Sequence, residues 1–391
     1  MIKKAVKSIF LLIRYYTQRN SQRLWIDPKY TFQVISETDK SVFSGYYDLI
    51  PIRGEKHLVH CLPVNPTVGQ TKIDIGYYDT KTNELNTLTT SNAWSFQQGS
   101  RLRWGKGDYI YLNDYDGEKY VTRKYSLTLN CDEKLYGRPM YDIAPNEQYG
   151  VSVNFDRLQC LRPGYGYSNR KGYDLANDNL AEDGLIYYDM KTDETKVLVS
   201  LETLGKDIPY AIYINHVSIS PDSEKIMYFL LWEEGGRRKS KLYVYHLLEQ
   251  RNQLIEDSDL VSHYSWRNND TLIITCVSGN KIEYRVYNIR TNSYYTLLQE
   301  RLNTDGHPTY IDETMFVSDT YPIKGIQHLY TFDTGTNAYK LIGKMYSNPL
   351  LSGEQRCDLH PKVCDNVISI DSTCYGKRRC IVIIGRGDKK A

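Results

Sequence analysis

The sequence predicts an all-β fold: a seven-bladed β-propeller closed by an N-terminal strand and preceded by a short N-terminal helix. Three observations predict it. The body of the chain shows almost no helical periodicity, only short alternating apolar runs broken by Gly, Asn and Asp turns. One hairpin phrase recurs as YYDTKTNELNTL (77–88), YYDMKTDETKVL (187–198), VYNIRTNSYYTL (286–297) and TFDTGTNAYKLI (331–342). A second phrase, a polar turn followed by an apolar strand, occurs seven times, from PIRGEKHLVHC (51–61) to KVCDNVISIDS (362–372).

Residues 1–28 are read as a basic amphipathic helix and linker. In MIKKAVKSIFLLIR (1–14), Ile2, Val6, Ile9, Phe10 and Ile13 share one helical face, with Lys3, Lys4 and Lys7 mostly off it. The apolar core is too short for a signal peptide and no small-residue cleavage site follows. Two readings of this segment stand: a helix lying on an anionic membrane surface, or a helix docked on its own domain. The expected location is cytoplasmic, with peripheral contact at the inner membrane face through residues 1–14 under the first reading. KYTFQVIS (29–36) is a lone strand ahead of the first repeat. Only about two strands follow the last repeat, so this strand is expected to complete the seventh blade and close the ring, leaving no long free edge. The propeller is assigned to 29–391.

Aligning the repeats on their turns makes Tyr46, Arg101, Met140, His216, His263, His307 and His360 equivalent. Most spacings fit a four-stranded blade of about 40–50 residues. The long gap after Met140 holds RPGYGYSNRKGYDLA (162–176), read as an inserted loop. A net charge of +2 over 391 residues argues against a nucleic-acid surface, so no nucleic-acid partner is expected. The 36 Tyr against 8 Phe suit a sheet protein with half-buried surfaces, and also carbohydrate contacts. The eight cysteines form no CxxC pair and match no common zinc spacing, so free thiols are expected.

Four consecutive blades start their channel-side strand with histidine: NHVSI (His216), SHYSW (His263), GHPTY (His307) and LHPKV (His360). Equivalent positions in a propeller ring the central channel, so these imidazoles should face one another, with Tyr46 and then Arg101 next across the closure. One reading is structural, each His bonded within its own blade. The other is a site, since clustered neutral imidazoles suit manganese, zinc and similar ions. The expected metal ligands are His263, His307 and His360, with Asp305, Asp358 and Gln98 as candidate oxygen ligands. His216, Tyr46 and Arg101 are the catalytic candidates. Arg356, Arg103 and Gln98 are the expected substrate contacts, arginine being suited to bidentate capture of a carboxylate. Asp319 and Asp371 recur at matching places and are expected to accept hydrogen bonds from neighbouring blades.

GHPTY followed by SDTYP, and RCDLHP followed by IDST and GKRR, resemble the TolB-like propellers related to oligogalacturonate lyase, and SHYSW resembles that family's metal-binding blade. The likeness spans most of 40–385. It implies a seven-bladed propeller and a divalent metal, usually manganese, held by His residues and a Gln. It also implies β-elimination on uronate oligomers, with a His as base and an Arg assisting. By this resemblance His263 is a metal ligand and an acidic oligosaccharide or polysaccharide is the expected partner. Two departures stand out. DGHPTY offers only His307 where the family clusters ligands, and YFLLWEEG (228–235) has no His where the family places its base. A non-catalytic saccharide- or protein-binding propeller in surface-polysaccharide biosynthesis is the alternative. Neither a GxSxG elbow nor a Walker A motif is present.

Overall fold

The hairpin phrases explain themselves in the computed structural model, which describes residues 12–13, 23–297, 300–375 and 378–385. In each phrase the Asp or Asn closing one strand turns its side chain back on the turn. Asp79 Oδ1 accepts from the backbone N–H of Lys81 and Thr82, at 2.9 and 3.0 Å, and Asp189 and Asp333 repeat the pattern. The turn then needs one left-handed residue, supplied by Asn83, Asp193, Asn292 and Asn337 at φ 51–61°. Asn and Asp tolerate that conformation better than other side chains.

These hairpins are the outer halves of four of the seven antiparallel sheets. Blade 1 spans 41–91, blade 2 103–136, blade 3 142–200, blade 4 213–256, blade 5 260–296, blade 6 309–346 and blade 7 362–385. As expected, the N-terminal strand completes blade 7: Thr31–Ile35 pairs antiparallel with Cys380–Gly385. A strand the sequence reading left in the linker, Leu24–Ile26, pairs with Ala338–Tyr346 and extends blade 6. The N-terminal segment therefore clamps blades 6 and 7 together. Its apolar residues join one interblade core, where Ile26, Ile342 and Met345 pack with Ile368, Val382 and Ile384. Of the expected N-terminal helix, only Leu12 and Ile13 are described; both are helical and exposed. The rest of 1–22 lies outside the described residues. Among the described residues no helix is long and apolar enough to cross a membrane. All eight cysteines are free thiols.

Side chains at the second strands latch neighbouring blades. Asp371 accepts from Ser44 N–H and Oγ–H, at 2.8 and 2.9 Å, and Asp319 accepts from His360 N–H at 3.2 Å. His60 Nε2 takes Ser100 N–H at 3.0 Å and Asn113 Oδ1 takes Met140 N–H at 3.0 Å. These bonds satisfy the backbone where each chain dives into the channel.

Candidate active site in the channel mouth

The inner strands converge the repeat-equivalent residues. Their ring centroids run His216–His263 6.2 Å, His263–His307 4.0 Å, His307–His360 4.5 Å, His360–Tyr46 4.6 Å and Tyr46–His216 5.3 Å. The circle closes on itself. His216 and His263 do not start their strands. They sit inside Tyr213–Ile219 and Leu260–Trp266, where the register with the next strand shifts. Local irregularity thus lets blades with long inner strands deliver the same side chain as blades with short ones.

His307 is oriented by Asp319, whose Oδ1 accepts its backbone N–H and lies 2.8 Å from Nδ1, leaving Nε2 buried without a partner. His360 Nε2 and Tyr46 Oη are likewise buried and unpartnered, as is His216 Nδ1. His307, Asp358 and His360 each offer a ligand atom within 4.8 Å of the others. Of the expected metal trio, then, His307 and His360 belong to the tight cluster and Asp358 takes the third place. His263 stands beside His307, but Asp305 engages its Nδ1 at 3.0 Å. Gln98 donates its amide to Tyr141 Oη at 2.6 Å and to Asn215 Oδ1 at 3.1 Å, and its Oε1 is buried without a partner.

Burial sets the charges. It pulls the pKa of His216 and His360 well below the ordinary histidine value, helped by the neighbouring imidazoles, and lowers His263. Burial also opposes protonation of His307, but Asp319, Asp358 and Asp305 outweigh it and leave that pKa raised. Tyr46 is pushed up by burial, so it stays protonated.

Two expected site residues are committed elsewhere. Arg101 occupies the repeat-equivalent backbone position but does not extend the ring. Its guanidinium makes a bidentate pair with Asp48 at 3.1 and 2.8 Å, donates to Tyr141 O at 2.7 Å and lies over the Tyr141 ring. With Tyr47 and Tyr264 it plugs the channel below the histidines. Arg103 pairs with Asp142 on a cavity of about 350 Å³ that also contains Tyr264, Trp266 and Tyr310, on the far side of that plug. An arginine whose carboxylate partner is built in is not free to hold a substrate carboxylate. Arg356 does reach the mouth. It is half-buried, bidentate on Asp358 at 2.6–2.8 Å, with its Cζ 5.0 Å over the Tyr321 ring. The sequence reading missed Tyr321, Tyr165 and Arg162, which gather around the same opening. Tyr165 and Arg162 lie in the segment that broke the repeat spacing, the one available signal.

No family model matches the chain, and no curated relative does. Among solved structures it is similar to an oligogalacturonate lyase in complex with manganese: 12% identity, TM-score 0.61, covering 94% of this chain and 98% of that one. It is also similar to the oligogalacturonate lyase of Vibrio parahaemolyticus: 12% identity, TM-score 0.63, covering 94% and 99%. The likeness over nearly the whole of both chains shows the shared seven-bladed fold.

Proposed function

We propose that this protein is a carbohydrate-active propeller that takes an acidic, uronate-type oligosaccharide at the histidine-lined mouth and cleaves it by metal-assisted β-elimination. One observation carries the reading: buried, unpartnered polar atoms on His216, His307, His360 and Tyr46, whose rings are in mutual contact. Buried polar atoms without partners are uncommon in folded proteins and point to a ligand. The similar lyase structure described with manganese supports the choice of chemistry.

Two imidazole nitrogens and a carboxylate oxygen suit manganese or zinc, so His307, Asp358 and His360 are the residues that would hold the ion. When bound, it would neutralise the uronate carboxylate and make the proton on C5 more acidic. The chain's own residues do the rest. Asp319 fixes the His307 ring from its Nδ1 side. His216, held neutral by burial, takes the C5 proton. The C4–O bond breaks, the C4=C5 double bond forms, and the departing oxygen is protonated from water. Tyr46, kept protonated, hydrogen-bonds the sugar beside His216, and Arg356, paired with Asp358, holds that carboxylate in place beside His307 and His360.

The test is elemental metal content of the purified protein beside a His307→Ala/His360→Ala variant, with trigalacturonate turnover followed by ultraviolet absorbance of the unsaturated product. About one metal equivalent, lost in the variant, and a product signal lost in His216→Ala are expected. No metal after reconstitution overturns the reading. The non-catalytic alternative has its own support: the strand Lys225–Glu234 ends on Trp232, Glu233 and Glu234, with no imidazole where a lyase-like pattern places one. Sugar binding without unsaturated product would select it.

A further inference from the structure

In blade 7 a turn joins the strands Val367–Ser372 and Cys380–Gly385. Their register sets Ser372 opposite Cys380, and Cys374 follows two residues on. The sulfurs of Cys374 and Cys380 lie 3.7 Å apart and share a hydrogen bond. Both thiols are buried in the interblade core, among Ile342, Met345 and Ile370. Packing accounts for small apolar side chains at these places. It does not require the two sulfurs to touch. Among the described residues no other two thiols are hydrogen-bonded to each other.

The surroundings make the two thiols unequal. Ser372 Oγ accepts Cys374 N–H at 3.1 Å, and Cys380 Sγ lies 3.5 Å from Ser372 O. The hydrogen bond from the Cys380 thiol lowers the Cys374 pKa against the effect of burial, and Cys380 is raised in turn. A sulfur that gives up its proton readily, in contact with one that keeps it, is the arrangement of a nucleophile and its resolving thiol. Tyr375, the next residue, is 56% exposed, so the buried pair adjoins a surface turn within reach of a small neutral oxidant.

The turn also has something to hold. Arg379, beside Cys380, is buried and donates to Phe96 O at 2.5 Å, Gln355 O at 3.0 Å and Arg356 O at 2.9 Å. Its own carbonyl accepts Val42 N–H of blade 1 at 3.0 Å. Thr373 Oγ1 accepts Asn348 N–H at 2.8 Å. The turn therefore ties the loop carrying Arg356 to blade 1 and to the loop before blade 2.

We infer that Cys374 and Cys380 are a modification site: a dithiol that a peroxide converts to an intrachain disulfide, stapling the turn that braces the Arg356 loop. Cys374 sulfur attacks one peroxide oxygen, the O–O bond breaks, and Cys374 becomes a sulfenic acid. Cys380 sulfur then attacks Cys374 sulfur, the S–S bond forms and water leaves. In sum the two thiols lose two protons and two electrons, and hydrogen peroxide becomes two waters. The site needs no ligand at the histidine ring, so its test is separate from that of the saccharide reading.

The experiment treats the reduced full-length protein with hydrogen peroxide, quenches it, denatures it and alkylates it with iodoacetamide before mass spectrometry. All eight cysteines should be alkylated before oxidation and six after it. Trypsin cuts after Lys377, Arg378 and Arg379, so the disulfide should leave the Cys374 and Cys380 peptides joined. The oxidised parent should melt at a higher temperature than the reduced one, since the bond restricts the unfolded chain. Cys374→Ala should form no link, and peroxide should not raise its melting temperature. Oxidation confined to the exposed Cys131 and Cys160, with Cys374 and Cys380 still alkylated, overturns the inference. So does a sulfinic acid at Cys374 or Cys380 formed without the link. A link that leaves the melting temperature unchanged or lower overturns the stapling. Should Cys374→Ala fail to fold, Cys380→Ala serves in its place, and the comparison of reduced with oxidised parent needs neither.

Discussion

Arg101 and His360 hold equivalent places in blades 2 and 7, each left-handed, with φ 55° and 47°. Both are buried. Their surroundings are opposite. The Arg101 guanidinium meets a carboxylate, a carbonyl and an aromatic face, all from the chain itself. His360 presents a ring nitrogen with no partner, beside His307 in the same condition. The Arg101 guanidinium is satisfied and closed in; the histidine ring is built with vacancies in its hydrogen bonding. Repeat position alone therefore does not distinguish a structural residue from a site residue. What distinguishes them is whether the fold supplies the partner, because an unpartnered buried polar atom costs stability that a ligand can restore.

The largest test of that contrast is Arg101→Met. Removing one partner of a buried pair leaves Asp48 charged and uncompensated, so about 3–5 kcal/mol of stability should be lost in denaturant unfolding. A loss under about 1 kcal/mol would mean the plug is not the satisfied half.

Acidity probes the buried histidines outside the ring. His57 has both ring nitrogens engaged, with Leu58 O at 2.9 Å and Ser369 Oγ at 2.7 Å, and burial lowers its pKa to about 4. The folded protein refuses a proton that the unfolded chain accepts at about 6.5. The contribution of His57 is intact above that pH, declines as pH falls toward 4, and is flat below. His60, lowered to about 4 by burial, adds to the same window. Asp305, at about 2, adds its own loss only below about 3.8. His307 opposes the decline, since its raised pKa favours the protonated folded state. Urea midpoints measured from pH 7 to pH 4 should fall, and His57→Gln should flatten the slope; an unchanged slope would contradict this account.

A smaller effect is expected at the orphaned half. Asp319→Asn removes the charge that orients His307 and should weaken manganese binding about 10–100-fold in a competitive dye titration. Metal affinity in refolded Arg101→Met should stay near that of the parent. If both variants lose metal equally, the two halves are not separable. The smallest effect belongs to the outer rim. Asp333→Ala deletes the acceptor for Gly335 and Thr336 N–H, and should lower stability by about 1 kcal/mol without changing ligand affinity.

Much of this was legible in the sequence because it repeats. The Asp-to-Asn hairpins, the closing strand at 29–36 and the four-histidine convergence all follow from local chemistry copied around a ring. Asp319 and Asp371 were read as latches between blades, and they are. Leu24–Ile26 was missed because three residues carry too little periodicity to declare a strand; the exposed edge of blade 6 makes it one. Asp358 was one of three oxygen candidates that sequence could not rank. It joins His307 and His360 in space, while Asp305 turns to His263 and Gln98 to Tyr141.

By itself, the sequence determined the blade count, the closure and the four histidines that converge, because alternation and turn chemistry act over a few residues and need no distant partner. The tertiary structure decided which of those residues are free. Asp48 reaches Arg101 across 53 positions, Asp142 reaches Arg103 across 39, and Gly164 of the blade 3 insertion accepts from Gln97 N–H in the loop before blade 2. Such pairings depend on where blades meet around the ring, and a charge is neutralised by whatever lies nearest in space, not in sequence.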